Sequence, residues 1–169
     1  LPAKTGDSNG IVLAAIANLK KIKPSPLGIA ILADQIIPAN YEQHLALLKE
    51  CDLIIEAVAE RLEIKESLYS KIAPFIQDSA YLVTNTSGLS VTSLADVLPE
   101  ALKSRFCGLH FFNPPRYMVL AELIPHAATA PVMLDDLESF LTTHLGKGVI
   151  RAQDTPNFIA NRIGVFSLL

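Results

Sequence analysis

The sequence is poor in cysteine, with only Cys51 and Cys107 among its 169 residues. No two histidines or cysteines have the spacing of metal ligands, so we expect no bound metal. Each cysteine lies at the start of an apolar run, where a buried, reduced thiol is the expected state. The two cysteines therefore indicate neither a disulfide nor a metal site.

An excess of positive charge is absent as well. The net charge is −3, and the 14 lysines and arginines are scattered along the chain. The chain therefore lacks the clustered positive charge that would favour binding to nucleic acid. No segment approaches the ~20 unbroken apolar residues of a membrane span, and residues 1–6 have no signal-peptide pattern. We therefore expect a soluble, cytoplasmic protein with no nucleic-acid partner and no membrane span.

Apolar residues, by contrast, are abundant and arranged in blocks: 50% of the chain is hydrophobic and 18% is charged. Strands are predicted at 52–58, 80–84, 106–111, 119–124 and 149–151, and helices at 11–19, 41–50, 63–76, 90–98, 131–145 and 157–169. This alternation predicts an α/β domain with a largely parallel sheet and helices on both faces. The run at 52–58 is almost continuously apolar, which predicts a strand buried on both faces.

Both ends of this pattern look unfinished. The chain starts on a helix instead of a strand, and it stops within the apolar helix at 157–169. Such a helix would need a partner surface to cover its apolar side chains. We therefore expect the sequence to be a piece of a longer protein.

Polar side chains collect where the predicted strands end. They are Glu56 and Glu60 after the first strand, Asn85, Thr86 and Ser87 after the second, and His110 and Asn113 after the third. In a doubly wound sheet, ligands bind outside the carboxyl ends of the strands. This clustering favours a site, although the 85–87 segment on its own also fits an ordinary turn and helix cap.

His110 is the best candidate for a general base, although an isolated histidine is more often a satisfied, half-buried residue. Glu122 lies on the next predicted strand, where it could stand beside the ring. A carboxylate behind an imidazole fixes its tautomer and stabilises the imidazolium that forms on proton uptake. Glu122 is also flanked by apolar residues, so it needs a partner if it is buried. Each residue therefore supports the assignment of the other.

Taken in order, these motifs resemble the NAD-binding domain of the 3-hydroxyacyl-CoA dehydrogenases. The matching stretches are 52–60 with Lys65, 85–87, 108–114, 120–124, 146–148 and 154–162. Each stretch is modest on its own, but the set in this order is specific. The resemblance implies a Rossmann-like, doubly wound α/β fold with a mostly parallel sheet.

The resemblance also implies an activity and a set of site residues. The implied reaction is the oxidation of (S)-3-hydroxyacyl-CoA to 3-oxoacyl-CoA with NAD in fatty-acid β-oxidation, by a full-length homodimer that takes acyl-CoA as substrate. His110 would be the general base and Glu122 its orienting partner. Ser87 and Asn161 match substrate-side positions. The positions that line the nicotinamide–ribose part of the cofactor site are matched by Glu60, Lys65, Ser87 and Asn113.

The sequence departs from the family at both ends. Members open with a strand, a Gly-x-Gly-x-x-Gly turn, a helix and a second strand, and none of the eight glycines here belongs to such a turn. That turn receives the cofactor's pyrophosphate. We therefore expect 1–155 to be a partial NAD-binding domain that lacks the first β-α-β unit. We expect 156–169 to be the first helix of a C-terminal helical domain, and this piece alone to be inactive.

Two other functions remain open at this point. One is an NAD-dependent β-hydroxyacid dehydrogenase on a related fold, although those enzymes usually transfer the proton through a lysine. The other is a non-catalytic structural or binding protein on the same fold. The missing glycine-rich turn favours this last alternative, and the joint presence of Ser87, His110, Glu122 and Asn161 argues against it.

Overall fold

The computed structural model describes residues 8–168. Residues 1–7 of the predicted NAD-binding domain and residue 169 of the predicted helical domain lie outside the described residues. A five-stranded sheet in the order β1-β2-β3-β4-β5 forms its centre. The strands are β1 Leu53–Glu56, β2 Tyr81–Thr84, β3 Phe106–Phe111, β4 Leu120–Ile124 and β5 Gly148–Arg151. Neighbouring strands are parallel except β3 and β4, which are antiparallel. The sheet is therefore mostly parallel, as predicted.

The α-helices include five of the six predicted helices, in the predicted order, and one short addition. They are α1 Gly10–Leu19, α2 Leu62–Ile72, α3 Val91–Asp96, α4 Glu100–Lys103, α5 Pro131–Thr143 and α6 Ala160–Phe166. The short helix α4 and a 3₁₀ segment at Ala30–Gln35 are absent from the predicted elements. Helix α2 ends before Pro74, which lacks the N–H that a helix interior requires, and a 3₁₀ turn at Ala73–Phe75 follows it.

The predicted helix at 41–50 is wrong in its first half. Only Leu45–Glu50 is helical, and it is a 3₁₀ helix. The side-chain oxygen of Asn40 accepts hydrogen bonds from the backbone N–H groups of Glu42 and Gln43, at 2.9 and 2.8 Å. Asparagine side chains compete with helical backbone bonds in this way. The local bonds therefore hold the start of this segment in a turn.

Helices cover both faces of the sheet, and each face has its own core. One core contains Leu82 of β2, Phe106 of β3 and side chains of α2 and α3. The other contains Val83 of β2 and side chains of α5. Successive strand residues point to opposite faces, so Leu82 and Val83 fall into different cores. This arrangement confirms the α/β, Rossmann-like fold class.

Strand β1 is not buried on both faces, so that prediction is wrong. In the described part of the chain it pairs only with β2 and therefore lies at the edge of the sheet, where Ile55 is 47% exposed. The cysteines also differ from each other, although both are free. Cys107 is buried as expected, and burial raises the pKa of its thiol to about 12. Cys51 is only partly buried, contrary to expectation.

Two further observations apply to residues 8–168. No helix there combines the length and the apolar character needed to cross a membrane. Within the same residues, no group of three or more His, Cys, Asp or Glu side chains could hold a metal ion.

Candidate active site

The candidate base and its carboxylate lie on two neighbouring strands. The antiparallel register of β3 and β4 places His110 directly opposite Glu122. Directly opposed residues project from the same face of a sheet, so their side chains can meet. The Nδ1 atom of His110 lies 2.8 Å from Oε2 of Glu122, and the two side chains are 4% and 0% exposed. The structure therefore brings the two predicted residues into a buried contact.

Glu122 determines which ring nitrogen of His110 carries hydrogen. An ionised carboxylate only accepts hydrogen bonds, so its contact with Nδ1 requires the hydrogen on that nitrogen. The other nitrogen, Nε2, is then an acceptor in the neutral ring. The rings of Phe112 and Phe158 pack against the imidazole, with centroid distances of 4.5 and 5.6 Å. The imidazole is therefore held from several sides, and Nε2 is the atom that can exchange a proton with a bound molecule.

The second carboxylate oxygen of Glu122 accepts hydrogen bonds from backbone N–H groups at the start of α6. Its Oε1 accepts hydrogen bonds from the backbone N–H groups of Ile159 and Ala160, at 3.1 and 2.9 Å. Just before them, Asn157 and Phe158 have left-handed backbone conformations, with φ of 63° and 49°. Such a conformation costs of order 1–3 kcal/mol in a residue other than glycine. The strained turn therefore lies beside the candidate base and leads directly into the contacts with Glu122.

A second polar cluster lies where β1 and β2 end. The Oε1 atom of Glu60 accepts hydrogen bonds from the backbone N–H groups of Ser87 and Gly88, at 2.8 and 3.0 Å, and from the hydroxyl of Thr86. Burial raises the pKa of Glu60, but the hydrogen bonds from Thr86, Gly88 and Ser87 outweigh it and lower this pKa overall. Glu60 is therefore an ionised group that holds the 86–88 loop.

A buried ion pair lies beneath Glu60. The Nζ atom of Lys65 is 2.7 and 2.8 Å from the two carboxylate oxygens of Glu56, and 3.5 Å from Oε2 of Glu60. The hydroxyls of Tyr69 and Thr84 also donate to Glu56. The side chain of Lys65 is 1% exposed. In this conformation the Lys65 ammonium is therefore shielded from solvent, and Glu60 is the partly exposed group that it contacts.

Asn85 connects the two clusters. Its backbone N–H donates to the carbonyl of Glu56 at 2.8 Å, and its Oδ1 accepts from the N–H of Phe111 at 3.0 Å. The register between β2 and β3 ends at Thr84 and Gly108. The Asn85 side chain therefore extends the connection between these strands beside His110.

The remaining predicted residues are held less directly. Ser87 is exposed and is anchored through its backbone by Glu60. Asn161 is half-buried in the first turn of α6, next to the residue whose N–H binds Glu122. Asn113 is exposed after β3, and no hydrogen bond within residues 8–168 joins it to Glu60. The structure therefore groups Ser87 with Glu60 and places Asn161 near Glu122, whereas Asn113 is joined to Glu60 by no hydrogen bond among the described residues.

Two contributors to the site escaped the sequence analysis. Glu56 is recognised there only as a polar residue at a strand end, although a carboxylate within an apolar run signals a buried partner such as Lys65. Phe158 packs on the His110 ring, and its sequence context gives no signal of that contact. Both roles depend on tertiary neighbours.

Comparison with known proteins gives consistent matches along the chain. Residues 14–155 match the family model described as 3-hydroxyacyl-CoA dehydrogenase, NAD binding domain. Over 155 residues the chain is 44% identical to the probable 3-hydroxyacyl-CoA dehydrogenase of Bacillus subtilis, covering 92% of this chain and 20% of that protein. Over 162 residues it is 46% identical to a Rickettsia felis protein assigned as a fatty acid oxidation complex trifunctional enzyme, covering 96% of this chain and 22% of that protein.

The fold matches solved structures as well. The crystal structure of 3-hydroxybutyryl-CoA dehydrogenase from Escherichia coli K12 superposes with a TM-score of 0.76 at 33% identity, covering 90% of this chain and 33% of that chain. The chain spans between 20% and 49% of the length of four curated relatives that each match at least 92% of it.

Proposed function

The chain belongs to the 3-hydroxyacyl-CoA dehydrogenase family, through its NAD-binding domain, and we propose that the protein carrying it oxidises (S)-3-hydroxyacyl-CoA to 3-oxoacyl-CoA. NAD is the cofactor of the matched domain family. The single observation that carries the proposal is the buried contact between His110 and Glu122. It provides a base with a fixed tautomer at the carboxyl end of a strand, where ligands bind in this class of fold.

The proposed reaction removes a proton from the substrate's 3-hydroxyl oxygen and a hydride from the carbon that bears it. Nε2 of His110 accepts the proton, and Glu122 stabilises the imidazolium that results. NAD, when bound, supplies the hydride acceptor. In the reverse direction, Nε2 of the imidazolium donates its proton to the 3-ketone oxygen. His110 therefore handles the proton in both directions through the same atom.

The residues where β1 and β2 end fit the nicotinamide–ribose half of NAD. Glu60 is an ionised acceptor whose Oε1 is anchored by the 86–88 loop and whose side chain is 43% exposed. Its Oε2 atom is suited to accept a hydrogen bond from a ribose hydroxyl. We propose that Lys65 supports Glu60 from below, and that Ser87 and Asn113 line the same part of the cofactor site.

The substrate side of the site is proposed to include Ser87 and Asn161. Ser87 presents an exposed hydroxyl on the loop held by Glu60, and Asn161 lies in the helical turn bound to Glu122. Both side chains can donate hydrogen bonds. We propose that they bind the reacting oxygen or the acyl group of the substrate.

The biological setting is part of the proposal. The name of the Rickettsia felis relative supports a place in fatty-acid β-oxidation. Disulfides are rare in proteins of reducing compartments, and a sequence with only two cysteines is consistent with the proposed cytoplasmic location. In α6, Ile163, Val165 and Phe166 are 64%, 51% and 79% exposed. Exposed apolar surface marks contact sites, which supports 156–169 as the start of a helical domain in a full-length homodimer, after a partial NAD-binding domain at 1–155.

We also propose that turnover needs a longer polypeptide than these 169 residues. The sequence contains no Gly-x-Gly-x-x-Gly turn, and that turn binds the pyrophosphate in dinucleotide-binding folds. Titration of NADH into the isolated 169-residue chain, with NADH fluorescence as readout, is expected to show no micromolar binding. Micromolar binding together with oxidation by acetoacetyl-CoA would contradict this part of the proposal.

The proposed function is tested with the full-length protein. NADH absorbance is followed with acetoacetyl-CoA as substrate, and in parallel with free acetoacetate. Oxidation of NADH by the thioester alone is the expected result. Equal rates with the free acid would favour the β-hydroxyacid dehydrogenase alternative. A folded protein that oxidises NADH with neither substrate would favour the non-catalytic alternative.

A further inference from the structure

Glu56 lies at the centre of a polar cluster beneath the cofactor side of the candidate site. It ends β1 and is 3% exposed. Its Oε1 accepts from the N–H of Val58 at 2.7 Å, and its Oε2 accepts from the hydroxyls of Tyr69 and Thr84 at 3.0 and 2.7 Å. Both oxygens also contact the ammonium of Lys65. The carboxylate is therefore fixed by groups from the loop after β1, from α2 and from β2.

Stability alone does not account for a charged pair at this position. Transfer of two charges from water into a protein interior costs free energy that their attraction only partly recovers, and apolar residues of similar volume often serve as well. Tyr69, which donates a hydrogen bond to Glu56, belongs to the apolar core that also contains Ile72 and Leu82. What distinguishes the pair is its place, because the Lys65 ammonium lies between Glu56 and Glu60.

We propose that Glu56 is a positioning residue for the cofactor side of the site: its carboxylate holds the Lys65 ammonium beneath Glu60, and Glu60 holds the loop that presents Ser87. This inference rests on the proposed function. Two carboxylates share one ammonium, and of the two only Glu60 is substantially exposed, at 43% against 1% for Glu56. Glu60 is thus the carboxylate that a ligand hydroxyl can reach.

Loss of the Glu56 charge would change the position of Lys65. The ammonium would retain one anionic partner among the described residues, Glu60, whose Oε2 lies 3.5 Å away. A closer contact with Lys65 would pull the Glu60 carboxylate away from the backbone N–H groups of Ser87 and Gly88 and weaken those hydrogen bonds. We therefore expect weaker NADH binding. The chemical step should persist, because the Glu56 side chain makes no contact with His110 or Glu122.

The test uses steady-state kinetics of acetoacetyl-CoA reduction by the full-length protein. The variants are Glu56→Gln, Lys65→Met and the double variant, with Glu66→Gln as matched control because Glu66 is exposed on the same helix as Lys65. Glu56→Gln is expected to raise the KM for NADH by about tenfold, with kcat within about twofold of wild type. In the double variant, the KM should equal that of Lys65→Met alone, because Glu56 acts through Lys65.

Several results would overturn the inference. A KM for NADH in Glu56→Gln equal to that of Glu66→Gln would do so. A KM in the double variant raised by the product of the two single-variant factors would also overturn it. If Glu56→Gln does not fold, Glu56→Asp replaces it, since aspartate keeps the charge but withdraws it by one methylene. An unchanged KM in Glu56→Asp would then overturn the inference. Inactive wild-type protein would count against the proposed function itself, which keeps the two failures distinguishable.

Discussion

Replacement of Glu122 by glutamine is predicted to slow proton transfer strongly while leaving the fold intact. The change keeps the shape of the side chain and removes its charge. The native carboxylate accepts on both sides, from Nδ1 of His110 and from the N–H groups of Ile159 and Ala160. Glutamine has one acceptor oxygen and one donor NH₂ group. It can therefore satisfy only one of the two sides as an acceptor.

The free energies of the two amide orientations decide the outcome. If the NH₂ group faced Ile159 and Ala160, two backbone N–H groups would lose their acceptor, at about 1–3 kcal/mol each. If the oxygen faces them, the NH₂ group donates to Nδ1 of His110, and the ring needs only to change tautomer. The second orientation is therefore favoured by about 2–6 kcal/mol. It places the hydrogen on Nε2, which can then no longer accept the substrate proton.

The expected result is a fall in kcat for 3-hydroxybutyryl-CoA oxidation of about 100- to 10,000-fold. The KM for NAD should stay within about twofold, because Glu122 does not contact the Glu60 cluster. Steady-state kinetics of the full-length protein measure both parameters, and Glu66→Gln is the control. A Glu122→Gln variant that binds NAD normally and keeps kcat within about threefold of wild type would refute the tautomer argument.

Two stability predictions follow from packing and capping. A Cβ at Gly108 would lie 2.9 Å from Cγ2 of Val91 and 3.1 Å from Cβ of Ile124, so Gly108→Ala should lower the free energy of unfolding by about 1–3 kcal/mol; an unchanged urea midpoint would contradict this. Asp154 caps the start of α3, where it accepts hydrogen bonds from the N–H groups of Val91 and Thr92. Burial raises the pKa of Asp154, but hydrogen bonds led by the N–H of Thr92 lower it overall. Because this pKa is lower in the folded state, the stabilisation is present above the unfolded value and is lost as pH falls through the folded one. Asp154→Ala should therefore cost about 1 kcal/mol at neutral pH and progressively less in acid, and a pH-independent cost in urea titrations would count against this cap.

The contact between His110 and Glu122 could be predicted from the sequence for a physical reason. Each residue is a polar group within a short apolar strand, and the two strands are close in the chain. Short connections favour neighbouring strands, and a buried carboxylate needs a partner. These two rules together predict the pair without any knowledge of the register.

Other features depend on tertiary structure that local patterns do not contain. An apolar run predicts the strand β1 but not the number of its neighbours, so the exposure of Ile55 was missed. The helical pattern of α2 does not show that Lys65 points inward to Glu56. Asn40 can cap a helix or form a turn, and the structure has the turn. In each case the sequence permits two outcomes, and packing decides between them.

The most direct test of His110 as the proton-transfer residue is a single-turnover measurement on His110→Gln in the full-length protein. Reduction of acetoacetyl-CoA by bound NADH is followed beside wild type and His144→Gln, whose altered side chain is exposed at the end of α5. We expect a loss of at least about 100-fold in His110→Gln, normal rates in His144→Gln, and unchanged NADH dissociation constants. Reduction by His110→Gln within about threefold of the wild-type rate would contradict the assignment of His110 as the proton-transfer residue.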